Sequence, residues 1–454
     1  MRLAVHAACA ALLSLLISLA AAPAFAQSNP SSAPTAKVTT VPLSAVAAAP
    51  APSFDPVKAT NAYLARVSGA ARAKSDAYFE GQAEWLPLVD AIYALIVSGI
   101  LLWSRISARI RDYAQNMTRS KFFQASIYIV AYFVLTTVIT LPLSIYEGFF
   151  RERAYDLMNQ TFLGWFSDFA IAFGVNLFVF TLLGTVIYAI IRRTKETWWL
   201  WGSIVTVVFL IVGGMLFPVF IAPLFNNYYP LPESPLKEQI LSLARSEGIP
   251  VTNVYEFNAS KQSKRISANV SGAFGTTRIS MTDNLLNRST PREVKAVLGH
   301  EMGHYVLSHN GIGTTWMGLL LVVGFVFVNW GYKRLVDIFG GNWDVRTIDD
   351  PAGLPVLMAL ATVFFLAATP VQNTITRTLE EQADMFGVNA AREPDGFALA
   401  TLQLSEYRKL DPSPWEEFIF YDHPSGRTRI WTMMRWKAEH LNDADIKAGP
   451  VSPQ

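Results

Sequence analysis

Thr290-Pro291-Arg292-Glu293-Val294-Lys295-Ala296-Val297-Leu298-Gly299-His300-Glu301-Met302-Gly303-His304 decides how the rest of the chain is read. Threonine, then proline, then glutamate at the third position on are an N-cap, a first-turn proline and a capping-box partner, so a helix starts here. Val294, Val297 and Leu298 carry that helix into the run His300-Glu301-Met302-Gly303-His304. An H-E-x-x-H run on a helix sets two imidazoles one turn apart on one face, where both reach a single Zn2+. The glutamate between them can hold a water against the metal. The chemistry predicted is hydrolysis. Only six histidines occur in 454 residues, and His300, His304 and His309 fall close together. On a continuing helix His309 lies off the ligand face and reads as a solvent or backbone partner.

Outward from this helix the chain is too apolar for a soluble enzyme. Hydrophobic residues make up 52% and aromatic residues 13%, which predicts an integral membrane protein. Windows of about 20 residues find six apolar spans. They lie near Trp85 to Trp103, Phe122 to Tyr146, Phe166 to Ile191, Trp198 to Phe220, Gly311 to Tyr332 and Ala352 to Thr369. Before them, residues 1–26 read as a signal peptide ending Ala24-Phe25-Ala26, and residues 27–57, rich in Ala, Pro, Ser and Thr, as a disordered tether. A short amphipathic helix is expected around Ala59 to Glu80. Cys9 is the only cysteine and lies inside the signal, so cysteine chemistry is excluded. Neither a nucleotide-binding glycine loop nor a coherent basic face for nucleic acid is present.

The expected organisation is a helical membrane part (58–222), a catalytic cap carrying the motif (223–310), two further spans (311–371) and a C-terminal catalytic segment (372–454). Within the cap, Ser234-Pro235 opens a helix to Gly248, Val251 to Phe257 and Arg278 to Met281 read as strands, and Ser260 to Gly275 reads as a polar segment. Two spans separate the two polar pieces, so both face one compartment and together can build one site. Loops after spans one, three and five carry eleven basic residues, among them Arg105, Arg109, Arg192, Arg193 and Lys333, whereas the loop after span two carries Arg151 and Arg153. Counting positive charge inside puts the catalytic pieces on the periplasmic side of the inner membrane, a cytoplasm-facing site being the alternative.

A catalytic zinc needs a third protein ligand. After the sixth span comes Arg377-Thr378-Leu379-Glu380-Glu381-Gln382-Ala383-Asp384, in which Glu380 and Asp384 share a helical face and Glu381 is an adjacent alternative ligand.

Taken in order, H-E-x-x-H, Glu380-x-x-x-Asp384 and His423-Pro424 to Arg429 resemble the integral-membrane CaaX prenyl protease 1 family of gluzincin zinc peptidases. Ile221-Ala222-Pro223-Leu224-Phe225, Ser260-Lys261 with Asn269, and Thr282-Asp283-Asn284-Leu285-Leu286 agree with it. The resemblance implies a mainly α fold, with polytopic helices around an intramembrane chamber and a small α/β cap that carries the zinc helix. It implies one Zn2+ per chain on His300, His304 and Glu380, with Glu301 as general base. Asp384 would bond a ligand imidazole, His423 and Arg429 would flank the scissile carbonyl, and Asn269 would hold a substrate laid along a strand edge near Asn269 to Phe274. The partners implied are the lipid bilayer and a peptide or protein substrate, a lipidated C-terminal tail being one form. In place of a further N-terminal membrane helix stand the signal-like segment and the tether. A periplasmic site would favour general proteolysis of membrane or envelope proteins over CaaX processing. A transporter or a non-catalytic scaffold is the remaining alternative, and the scarcity of charge within the spans argues against the former.

Overall fold

The computed structural model describes residues 54–272 and 277–447. The expected signal peptide with Cys9, and the expected tether as far as residue 53, lie outside the described residues. Asp55 caps the first helix, α1 (Pro56–Leu64), by accepting from the amides of Val57 and Lys58, so helix begins where the tether was expected to end. The amphipathic helix expected up to Glu80 is two helices, because Gly69 takes φ +58° and α2 (Gly69–Phe79) restarts there. Through a π-helical turn, Glu80–Trp85, α2 runs on into α3 (Leu86–Trp103).

After α3 come α4 (Ile106–Met117), α5 (Lys121–Ile145), α6 (Phe162–Thr194) and α7 (Trp198–Leu216). Five continuous helical stretches are long and apolar enough to cross a membrane, and the third, Phe162–Phe225, has 64 residues. At 1.5 Å per residue a straight helix of that length would run roughly three times the ~30 Å hydrocarbon core. It does not run straight. Lys195 takes φ 45° and a 3-10 turn, Lys195–Thr197, reverses the chain, so α6 and α7 pack side by side. The six apolar segments expected are therefore present, two of them as the arms of one hairpin.

The last two spans, which follow the cap's strands and shorter helices in the chain, are the long helices α11 (His309–Trp343) and α12 (Leu354–Ala391). Spatially the spans close a ring in the order α3, α5, α6, α7, α11, α12 and back to α3, with Tyr93 on α3 donating to the Ile139 carbonyl on α5 at 3.0 Å. Apolar side chains such as Ile92, Ile96 and Ile100 on α3, or Leu319, Val323 and Trp330 on α11, are exposed, as a lipid-facing surface requires. At the end of the ring where α4 lies, Arg111 is buried against Asp344 at 2.7 Å and Asp350 at 2.9 Å, tying α4 to the α11–α12 connection.

In the cap, β1 (Tyr228–Pro230), β2 (Val254–Phe257), β3 (Ala268–Ser271) and β4 (Arg278–Thr282) form one sheet in the order β1-β2-β4-β3. β2 and β4 are parallel, and the outer strands are antiparallel to their neighbours. α8 (Pro235–Ser246), capped by Ser234, packs on this sheet, and α9 (Asp283–Arg288) leads to the zinc-motif helix α10 (Pro291–Val306). The capping box is present as expected, with Thr290 and Glu293 bonded reciprocally. Val294, Leu298 and Met302 of α10 pack with Val254, Ile279 and Met281 of the sheet. On its other side Ala296 joins a second core with Tyr63 of α1, Phe397 of α13 (Pro394–Leu404) and Ile430 of α15 (Gly426–Glu439). Between α13 and α15 lies α14 (Pro414–Phe420). Cores on both sides fix α10 in rotation, so its histidines have one direction to face.

Candidate active site

The side that remains to α10 is covered by the far half of α12, which extends past the membrane part into the cap. Two glycines set how close the helices come. A β-carbon on Gly387 of α12 would lie 2.7 Å from the His300 amide nitrogen, and one on Gly299 would lie 2.9 Å from the Gly387 carbonyl oxygen. Neither approach leaves room for a side chain, and the result is that Glu380 and Asp384, one turn apart on α12, meet His300 and His304, one turn apart on α10.

The donor atoms converge. His300 Nε2 lies 3.2 Å from Glu380 Oε2, His304 Nε2 3.4 Å from Glu380 Oε1, and the two imidazole Nε2 atoms 3.1 Å apart. Ligands about 2.05 Å from a tetrahedral zinc are separated by roughly 3.3 Å from one another, so the three donors stand at the spacing such an ion imposes. Among the described residues this is the one group of three or more His, Cys, Asp or Glu side chains close enough to hold a metal. Glu380 Oε2 is buried and makes no hydrogen bond, although the ring nitrogens of His300 and His423 lie 3.2 Å and 3.3 Å from it. A buried carboxylate oxygen without a donor is costly, and a cation bound among these atoms removes the cost. The residues therefore fit the metal. Glu381, the alternative ligand, is exposed, about 100° round α12 from Glu380.

Behind His300, Asp384 Oδ1 accepts from Nδ1 at 2.7 Å, as expected. Arg429 has a partner that the sequence reading did not assign to it. Its Nε donates to Asp384 Oδ2 at 2.8 Å and its Nη2 to Asp384 Oδ1 at 2.5 Å, and its guanidinium lies over the Phe397 ring at 4.9 Å. The physical reason is that Asp384 is almost fully buried and needs a countercharge there, so Arg429 braces the carboxylate that holds His300 while also lining the cavity that Glu301 faces.

His423 comes from the loop between α14 and α15, held down by Arg377 of α12, which donates to the carbonyls of Glu417 and Tyr421 at 2.7 and 2.6 Å. Its Nδ1 is 2.8 Å from Asp422 Oδ1, leaving Nε2 toward the metal-binding group. Glu301 faces a cavity of about 170 Å³ bounded by Ile266, Val297, Phe397 and Leu404, with His423 and Arg408 on its wall. Desolvation pushes the Glu301 carboxyl up, and the neighbouring imidazoles of His300 and His304 partly oppose this. Asn269 sits half-buried on β3 opposite Ser280; from that stretch the cavity is lined by Ile266, Ser267 and Ala268. Of the edge expected from Asn269 to Phe274, residues 273 and 274 lie outside the described residues.

One participant escaped the sequence reading. α10 ends at Val306, Ser308 takes φ 57°, and the turn swings His309 back until its Nδ1 is 3.1 Å from His304 Nδ1. The signal for it was the pair of exposed-type residues Ser308 and Asn310 flanking a third histidine, which a continuous helix does not explain.

Residues 230–437 match the family model described as peptidase family M48, and residues 61–227 match the one described as CAAX prenyl protease N-terminal, five membrane helices. The chain is 32% identical over 333 residues to an uncharacterized metalloprotease, YhfN, of Bacillus subtilis, covering 73% of this chain and 78% of that protein. It is 27% identical over 406 residues to the CAAX prenyl protease 1 homolog of Oryza sativa, covering 84% and 89%, and 27% identical over 314 residues to CAAX prenyl protease 1 of Saccharomyces cerevisiae, covering 65% and 69%. The crystal structure of S. mikatae Ste24p has a similar fold, with a TM-score of 0.64 at 22% identity, covering 84% of this chain and all of that one.

Proposed function

The chain belongs to peptidase family M48 and is a multi-pass membrane zinc metalloendopeptidase, and we propose that His300, His304 and Glu380 hold one zinc per chain with Glu301 as general base. The observation that carries this reading is the donorless, buried Oε2 of Glu380, set among imidazole nitrogens at ligand spacing. Bound there, zinc supplies Lewis-acid polarisation of the scissile carbonyl and acidifies the attacking water.

The protein's own residues do the rest. Glu301 takes the proton of the attacking water and passes it to the leaving amine, and its raised carboxyl pKa suits both transfers. With Nδ1–H donated to Asp422 at 2.8 Å, His423 carries a second proton on Nε2 as the imidazolium, and in that form Nε2–H is the donor aimed at charge developing on the carbonyl oxygen. Asp384, braced by Arg429, fixes the tautomer of His300. The substrate lies extended along β3, an edge strand packed against α10, with Asn269 among its contacts, and a side chain beside the scissile bond enters the apolar cavity next to Glu301. Such β-augmentation selects unstructured segments.

The catalytic face is assigned to the periplasmic side of the inner membrane, supported by the basic loops at the other ends of the spans. A C-terminal reporter fusion active solely in the cytoplasm would reverse that assignment. The physiological substrates on this reading are membrane and envelope polypeptides. The test is cleavage, by the zinc-loaded protein in detergent, of a peptide ending in a farnesylated CaaX sequence and of its unprenylated copy. Comparable cleavage of both is expected; cleavage of the farnesylated peptide alone would replace the envelope role with CaaX processing of a lipidated tail.

A further inference from the structure

His300 and His304 present the same atom to the proposed metal, but what stands behind them differs. Behind His300 is a carboxylate, Asp384, neutralised by Arg429. Behind His304 is another imidazole. His309 is buried, with its ring 5.1 Å from that of His304 and 77° to it. Its Nδ1 is 3.1 Å from His304 Nδ1, and its Nε2 is 3.1 Å from Gln382 Oε1.

Proton bookkeeping along this row allows one arrangement in the ligated protein. His304 Nε2 faces Glu380 and His300 and must offer a lone pair to a metal, so the proton of a neutral imidazole is on Nδ1. That proton can only go to His309 Nδ1, which is then an acceptor. The His309 proton is therefore on Nε2, where the amide oxygen of Gln382 accepts it. No step leaves two donors or two acceptors facing each other. We propose that His309 and Gln382 are positioning residues for the metal site, a neutral relay that holds His304 in its ligating tautomer and ring orientation. The proposal rests on the ligand reading above.

Two features show that the relay is built into the fold. Ser308 sits in the left-handed region at φ 57°, a conformation that non-glycine residues adopt at a cost, and it is this turn that brings His309 back against His304. Gln382 is two residues beyond Glu380 on α12, so the helix that delivers the third ligand also terminates the relay. Its neutrality has a chemical sense. The site already holds Glu301 and Glu380, and a further carboxylate behind His304 would feed more negative charge to the metal and weaken it as a Lewis acid. An imidazole and an amide orient the ligand without that penalty.

The experiment uses full-length protein in detergent, stripped of metal, with zinc affinity measured against a competing chelator and the visible absorption of the Co2+-substituted protein recorded. His309→Phe should weaken zinc binding about 10-fold to 100-fold, and Gln382→Leu, at an exposed position, by a smaller factor; both should shift the Co2+ bands. Because the residues act in series, the double variant should be no weaker than His309→Phe. Zinc affinity and Co2+ spectra unchanged in Gln382→Leu and in any folded His309 variant would overturn the relay, as would losses that multiply in the double variant. His304→Ala separates the two readings: if it keeps wild-type zinc affinity, the ligand assignment itself fails, whereas loss there with no effect at 309 and 382 defeats the relay alone.

Discussion

Glu301→Gln is expected to leave zinc bound at one per chain and to lower kcat by about 100-fold to 10,000-fold, the range for a lost general acid–base group, or roughly 3 to 5 kcal/mol of barrier. The amide is nearly isosteric with the carboxylate, and Glu301 lines the cavity without standing in the donor group of His300, His304 and Glu380. On the proposed assignment, what the substitution removes is the site that takes a proton from the attacking water. KM should change little, because the strand edge and the apolar cavity are untouched. Metal analysis and turnover on the unprenylated peptide check this; a variant that has lost its zinc, or one within about tenfold of wild type in kcat, would remove Glu301 from the base role.

Glu380→Ala should do the reverse and strike the metal. Removing a ligand must cost more than removing a group behind a ligand, for which 10-fold to 100-fold is usual, so zinc affinity should fall by at least about 100-fold. His423 Nε2, 3.3 Å from Glu380 Oε2, is close enough to move into the gap and complete a three-histidine set. Residual zinc in Glu380→Ala is therefore expected to disappear in the Glu380→Ala/His423→Ala double variant. Chelator competition on both proteins is the check, and a double variant that keeps wild-type affinity would show that the metal is held elsewhere.

Much of this site was written in local patterns. The capping box at Thr290 and Glu293, the H-E-x-x-H spacing and the shared face of Glu380 and Asp384 are all short-range periodicities, and the folded chain keeps each of them. What escaped depends on contacts that spacing does not encode. From its own residues β3 reads as part of a polar segment, because Ala268 and Val270 are small and the strand is four residues long, and the family resemblance alone pointed to a strand edge there. Arg429 reads as a substrate-facing cation, and spacing gave no sign that buried Asp384 also takes it as a partner. His309 was misplaced because extrapolating a helix assumes it continues, and Ser308 ends that continuity. The six spans were legible as apolar runs, yet their order around the ring was not. A helix that meets lipid on one side and other helices on two more carries little periodic record of which helix is its neighbour.

The glycine contact between α10 and α12 also has a temporal meaning. His300 and His304 leave the ribosome long before Glu380, and two membrane segments must be synthesised and threaded between them before Gly387 can seat against the His300 backbone. A nascent chain that stops short of α12 has two histidines and no third donor, and one that stops short of α15 lacks the arginine that steadies Asp384. On the ligand set proposed above, hydrolytic competence would arrive only with the last helices of the chain.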